Sequence, residues 1–283
     1  MTELNLATAS GIKAVMARYE ISQAKKKLGQ HFLIDQFVLE KIVTAAEIGA
    51  GDFVLEIGPG IGGMTQALLN RGASVLAVEL DKQLVPVLRE LFLGEQFEVV
   101  QGDILRLDLR ELLNAKNVKV VANLPYYITT PVIFHCLESG IKFQSITVMV
   151  QKEVARRMSA SPSTKDYGSL SLAVQYYADV ELVANVPSNC FMPRPNVDSA
   201  VVKLLLLPTP RVAVPQDALF KVIHAAFGKR RKTLINALDS EGIGGGKAAL
   251  AEVLEKLGLD PRTRGETLDL GQFARLAKEM SYE

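Results

Sequence analysis

From residue 52 onward the chain alternates between short apolar runs and amphipathic stretches. "FVLEIG" predicts a strand, "GMTQALLNRG" a helix ending at Gly72, and "SVLAVEL" a second strand. "DKQLVPVLREL" predicts a helix with Asp81 as its candidate cap, and "FEVVQGD" a third strand. "VKVVAN" and "SITVMVQ" continue the series on either side of the helical "PVIFHCLES". Strands that are apolar along most of their length and alternate with helices predict an α/β fold with a parallel sheet covered on both faces.

The flanks break this rhythm. Residues 1–50 look helical, and "QFVLEKIVTAAEI" places Phe37, Val38, Ile42, Val43 and Ala46 on one apolar face. After "KEVARRM", the polar "SASPSTKDYGS" predicts a mobile, exposed loop. "DVELVANVP" and "DSAVVKLLLLP" then read as two strands forming a hairpin-like antiparallel pair across "SNCFMPRPN". Pro208 and Pro210 mark a linker, and 215–283 reads as helical with a glycine-rich break at "GIGGGK". The expected organisation is an N-terminal helical segment (1–50), an α/β domain (51–207) and a small helical domain (208–283).

Composition narrows the function classes. The 283 residues are 48% hydrophobic and 22% charged, as in a folded globular protein, and the net charge of +1 excludes a uniformly basic coat. Basic clusters at "KKK" (25–27), Arg156–Arg157 and "KRRK" (229–232) are, taken alone, solvated helix faces. The two cysteines, Cys136 and Cys190, stand far apart in apolar surroundings, which predicts free thiols in a reducing compartment. His31, His135 and His224 have no metal-ligand spacing, so no metal is expected. No apolar run approaches membrane-spanning length and no signal-peptide core is visible, so a cytoplasmic protein is expected.

The candidate chemistry lies at the strand ends. "EIGPGIGGMT" (56–65) joins the first strand to its helix, where glycines allow a tight turn and the helix N-terminus offers free N–H groups. Gly58, Gly60 and Gly63 also satisfy G-x-G-x-x-G, which leaves a nicotinamide dinucleotide open. Glu79, ending the second strand, can accept both ribose hydroxyls of either type of ligand. Asp103 in "QGDIL", beside apolar Ile104, suits the amine and face of an adenine, although aspartate also caps turns. Together these favour S-adenosylmethionine.

"NLPYYITTP" (123–131) ends the fourth strand. An exocyclic base amine is a poor nucleophile because its lone pair is delocalised into the ring. The Asn123 side-chain oxygen and the Leu124 carbonyl can hold its protons out of plane, with Pro125 stiffening the loop. Such acceptors help most when they fit the transition state. Tyr126 can stack on the base and fix its plane for in-line attack on a sulfonium methyl.

The blocks "KKKLGQHFL" (25–33), "EIGPGIGGMT", "VELD", "GD", "NLPYYITTP", "MVQKEVARRM" (149–158), "FMPRPNVDSAVVKL" (191–204) and "FGKRRKTLINAL" (227–238) occur in order across nearly the whole chain. In them the chain resembles the rRNA adenine N6,N6-dimethyltransferases that act on small-subunit rRNA. The resemblance implies a Rossmann-like class I methyltransferase domain, its donor site lidded by the N-terminal segment, plus a helical RNA-binding C-terminal domain. It also implies two methylations on each of two adjacent adenosines in a hairpin near the 3′ end of 16S rRNA. S-adenosyl-L-methionine is the implied donor and the small ribosomal subunit the implied partner, with a monomer as the expected state. The implied donor contacts are His31, Leu33, Gly58, Glu79, Asp103 and Asn123; His31 stands where the family usually has Asn. Phe191 is implied to stack on the flipped base opposite Tyr126. Beside such a pocket Arg156, Arg157, Lys229, Arg230, Arg231 and Lys232 become phosphate contacts, the last four along one or two turns of helix.

Three rivals stay in view. A large-subunit adenine dimethyltransferase is disfavoured by "NLPY" in place of "NIPY" and by the "FMPRPNVDS" and "FGKRRKTLINAL" blocks. A non-catalytic RNA-binding assembly or transcription factor is disfavoured by the intact glycine loop with Glu79, Asp103 and Asn123. A dehydrogenase would need an acid–base pair that the sequence does not offer.

Overall fold

A computed structural model describes residues 4–21, 29–114, 117–229 and 231–280. The chain divides into two compact units: residues 1–155 with 181–206, and residues 156–180 with 207–283. The later division falls between residues 206 and 207, just before Pro208 and Pro210. The N-terminal segment, however, belongs to the first unit, and 156–180 joins the helical unit rather than the α/β one.

The strands, in chain order, are β1 (Phe32–Leu33), β2 (Phe53–Ile57), β3 (Ser74–Glu79), β4 (Phe97–Gln101), β5 (Val118–Asn123), β6 (Ser145–Gln151), β7 (Ala178–Val186), β8 (Phe191–Met192) and β9 (Ser199–Leu206). Seven of them form one sheet in the order β4-β3-β2-β5-β6-β9-β7. The pairs from β4 to β6 are parallel, and β9 runs antiparallel to β6. Central strands are buried nearly throughout, as a sheet covered on both faces requires, whereas β4 at the edge alternates with exposed positions. The expected neighbour relation of β7 and β9 is present, while β8 in the segment between them leaves to pair with β1, Phe32 opposite Met192 and Leu33 opposite Phe191.

Register decides where the chemistry falls. Ile57 pairs with Val78 on one side and with Ala122 on the other. The next row across the sheet is therefore Gly58, Glu79 and Asn123, at the carboxyl ends of three adjacent strands. The order reverses between β2 and its two neighbours, β3 and β5, which is where an open α/β sheet leaves a crevice.

Some elements depart from expectation. The helix Gln36–Ala45 buries Val38, Leu39, Ile42 and Val43 under an Asp35 cap, but Phe37 projects outward with 85% of its surface exposed. Asp81 bonds the Gln83 N–H and opens a turn, and the helix itself begins only at Leu84. The segment 159–169 is not a free loop: Tyr167 is buried and donates its hydroxyl to the Leu268 carbonyl at 2.8 Å. The Ser163 N–H likewise bonds the Glu266 carbonyl. An aromatic residue in a polar run was the neglected sign of an anchor.

The second unit has its own core. Helices Ser169–Tyr177, Gln216–Gly228, Leu234–Asp239, Lys247–Lys256 and Leu270–Met280 surround Leu219, Ile223, Leu238, Leu250 and Phe273. Among the described residues no helix is long and apolar enough to cross a membrane.

Candidate active site

A single cleft in the first unit is lined by all ten residues expected to bind donor or base: His31, Leu33, Gly58, Glu79, Asp103, Asn123, Leu124, Pro125, Tyr126 and Phe191. Its empty space, solvent mouth included, is about 1120 Å³.

The glycine loop forms one wall. Gly58 has φ 70° and nothing within 4 Å of where a side chain would stand, so its bare backbone faces the cleft. Gly60 has φ 60°, and a Cβ there would stand 3.0 Å from the Phe32 ring. Its N–H donates to Glu79 Oε2 at 3.1 Å, while Glu79 Oε1 accepts from the Asp81 N–H at 2.7 Å. Burial raises the Glu79 carboxyl above the usual carboxylate range, and those two N–H groups pull it back. Each carboxylate oxygen is thus aimed by the backbone of a different loop.

Asp103 combines both roles considered for it. Its Oδ1 accepts from the Leu105 N–H at 3.1 Å, capping the turn, and its carboxylate lies 3.6 Å from Arg106. It still lines the cleft beside buried Ile104.

The opposite wall is the "NLPY" turn. Asn123 Nδ2 donates to the His31 carbonyl at 2.9 Å. A carbonyl partner can be met only by the NH₂ end, so the amide orientation is fixed and Oδ1 is the end left to accept. Leu124 is tied by its N–H to the Met149 carbonyl, and the Pro125 carbonyl accepts from both the Ile128 N–H and the Thr129 hydroxyl. The turn therefore runs without slack into the helix Thr129–Glu138. Tyr126 shares a 2.9 Å hydrogen bond between its hydroxyl and Ser199 Oγ, and burial raises its phenol above the ordinary value. Raised in this way, the phenol keeps its proton near neutral pH and offers no base. Phe191 lines the cleft yet is only 4% exposed, packed with Leu33, Met149 and Val201.

Two lining residues outside the expected set of ten stand out. Tyr127 is 57% exposed among the cleft residues. Glu56 is buried within β2, where its Oε2 accepts from the Thr65 hydroxyl at 2.6 Å. A charged residue interrupting the apolar "FVLEI" immediately before the glycine loop was the available signal. Burial pushes the Glu56 carboxyl up to about 8, with the Thr65 hydrogen bond opposing. Between the unfolded value near 4.5 and about 8, the native chain therefore binds one proton more than the unfolded chain. That contribution to stability is full below the lower value and is lost as pH rises through the higher one. Denaturant unfolding at pH 5.5 and pH 8 is expected to show Glu56→Gln gaining stability over the parent, by about 2–4 kcal/mol, on going to the higher pH. An unchanged difference would mean that this carboxyl titrates normally.

The basic residues lie elsewhere. Arg156 and Arg157 are exposed at the end of the helix Lys152–Met158. Lys229, Arg231 and Lys232 are not helical, contrary to expectation: the preceding helix ends at Gly228 and the next begins at Leu234. The Lys232 N–H closes that turn on the Lys229 carbonyl, and Lys229 lies 3.9 Å from Glu241. Arg230 and the 25–27 lysines lie outside the described residues. Among the described residues no cluster of His, Cys, Asp and Glu is arranged to hold a metal ion, and both cysteines are free and buried.

The strand order, the glycine turn and the acid that ends β3 define a class I methyltransferase fold. The family model for ribosomal RNA adenine dimethylases matches residues 21–281. The small-subunit rRNA methyltransferase A of Alkaliphilus oremlandii is 47% identical over 95% of this chain and 96% of its own. That of Lachnoclostridium phytofermentans is 53% identical over 89% and 90%. Among solved structures, a dimethyladenosine transferase from Plasmodium falciparum superposes with TM-score 0.74 at 29% identity, covering 88% of this chain and 97% of that one. The 23S rRNA methyltransferase ErmE superposes with TM-score 0.66 at 26% identity, covering 88% and 99%. The chain belongs to the ribosomal RNA adenine dimethylase family.

Proposed function

We propose that this protein transfers methyl groups from S-adenosyl-L-methionine to N6 of two adjacent adenosines in a hairpin loop near the 3′ end of 16S rRNA, during assembly of the small subunit. The observation that carries the reading is the fixed Asn123 amide: its nitrogen is engaged by His31, so its oxygen is presented at a strand end beside the glycine loop, separated by one strand from Glu79. Similarity to relatives named as small-subunit methyltransferases, at 47% and 53% identity, favours this substrate over the large subunit.

Gly58, Glu79 and Asp103 would hold the nucleoside end of the donor, with Leu33 over it. Asn123 Oδ1 and the Leu124 carbonyl would accept the two N6 hydrogens of a flipped adenine lying on Tyr126 and edged by Phe191. The N6 lone pair then attacks the methyl carbon. The carbon–sulfur bond breaks, its electron pair stays on sulfur as the thioether, and the proton that the alkylated N6 sheds passes to solvent water. A sulfonium is already a strong electrophile, so this chemistry calls for positioning and acceptors rather than a metal or strong base. Loop adenines are partly unstacked, so flipping costs only a few kcal/mol. Every group invoked comes from one chain, so a monomer would suffice.

Labelled-methyl transfer to unmethylated small and large subunits tests the reading: label confined to large subunits refutes it. Exposed Arg231 and Lys232 would meet phosphates. The double substitution Arg231→Ala, Lys232→Ala is expected to weaken small-subunit binding and to reduce the slope of log K against log salt by about 2, with donor affinity unchanged. A loss of donor binding would show that this turn is structural.

A further inference from the structure

The family resemblance assigns residue 31 to the methyl donor, but its ring faces other company. His31 Nδ1 lies 2.7 Å from the Pro193 carbonyl oxygen. A carbonyl accepts only from an N–H, so Nδ1 carries the hydrogen. The same ring stacks on Tyr126, with centroids 5.8 Å apart and planes 24° from parallel. Meanwhile the His31 carbonyl accepts from Asn123 Nδ2. One residue thus ties the "NLPY" turn, through both its amide and its phenol, to the end of the Phe191 segment.

These contacts limit how the slot can move. Tyr126 is held at its hydroxyl by Ser199 and on one face by His31, which leaves its other face for a flat ligand. Phe191 is held by the β1–β8 ladder, in which it pairs with Leu33, and the His31–Pro193 bond lies at the end of that ladder. A purine between two aromatic faces needs them about 7 Å apart, twice the optimal carbon–carbon separation. We propose that the His31 side chain is a positioning residue of the acceptor slot: a cross-brace that sets Tyr126 against the Phe191–Pro193 segment at the spacing a purine requires, rather than a contact to the methyl donor. The proposal rests on the adenine dimethyltransferase reading above.

The two halves of the brace can be separated. His31→Phe keeps a ring on Tyr126 and removes the donor to Pro193, whereas His31→Asn keeps a donor and removes the ring. The backbone bond from Asn123 is independent of either change. Donor Kd by calorimetry, and kcat and KM on unmethylated small subunits, would be measured for both variants and for His31→Ala. Donor Kd is expected to stay within about twofold of the parent in all three. His31→Ala is expected to lower kcat by about 10- to 100-fold, the range that small misplacements of a reacting group produce. The Phe and Asn variants are each expected to recover part of that loss. A tenfold weaker donor Kd with subunit kinetics restored at saturating donor would overturn the brace and return His31 to the donor site. Unchanged kinetics in His31→Ala would also overturn it. A parent enzyme that binds the donor but methylates no small subunits would overturn the dimethyltransferase reading, and this assignment with it.

Discussion

Asn123→Ala is expected to lower the single-turnover rate of methyl transfer by about 10²–10³, the usual effect of deleting one preorganised group that stabilises developing charge. The geometry makes the size of the effect specific. The Asn123 nitrogen is committed to the His31 carbonyl, so the side chain offers one acceptor with one orientation, at the end of a strand whose register is set on both sides. Alanine removes that acceptor and leaves the His31 carbonyl without its donor, so the backbone at His31 should loosen as well. Asn123→Asp separates the two effects. It keeps an acceptor but sets a carboxylate oxygen against the His31 carbonyl, and is expected to fall between parent and alanine. Donor affinity, measured by calorimetry, should change far less than the rate. The product ratio carries a second signature. Once N6 holds one methyl group it has a single hydrogen left, so only one of the two acceptors can still be engaged. Losing Asn123 should therefore alter the balance between mono- and dimethylated product as well as the total. A rate equal to that of the parent would remove the catalytic role from this amide.

The row of strand ends was legible because parallel strands buried on both faces read as continuous apolar runs. A glycine, acid or amide that ends such a run is conspicuous, as Gly58, Glu79 and Asn123 are. What the sequence hid was whatever depends on distant partners. The β1–β8 ladder joins positions some 160 residues apart through two-residue strands, too short for any periodicity to register. The His31–Pro193 bond, which lies beside it, was hidden for the same reason. Glu56 was passed over because a strand-interior acid looks like an exception rather than a member of a site, and only its burial against Thr65 shows otherwise. The basic "KRRK" run looked helical because lysine and arginine are good helix formers, yet Gly228 ends the preceding helix and Thr233 precedes the next. Local propensity was right about the residues and wrong about their neighbours.

Glu79→Ala is expected to weaken donor binding by about 100-fold and to lower the midpoint of thermal unfolding at the same time. Both follow from one buried carboxylate with two assignments. Toward the protein it accepts from the Gly60 and Asp81 N–H groups, and toward the cleft it stands where ribose hydroxyls would lie. Hydrogen bonds to a charged group contribute about 1.5–3 kcal/mol, so losing the ligand's share corresponds to roughly 10- to 150-fold in Kd. Alanine also strands two N–H groups in a site that is 5% exposed, at about 1–3 kcal/mol for each one left unmet. Glutamine, normally the mild replacement, is not mild here. Both carboxylate oxygens face N–H donors, so one of those donors would meet the NH₂ end of a glutamine, whichever way the amide is turned. If it is Gly60 that is repelled, the glycine loop shifts and donor affinity falls. If it is Asp81, the cost is confined to stability. Calorimetry on the donor together with thermal unfolding of Glu79→Gln distinguishes the two. An alanine variant that binds donor like the parent while melting lower would leave Glu79 as a brace for the loop and no more.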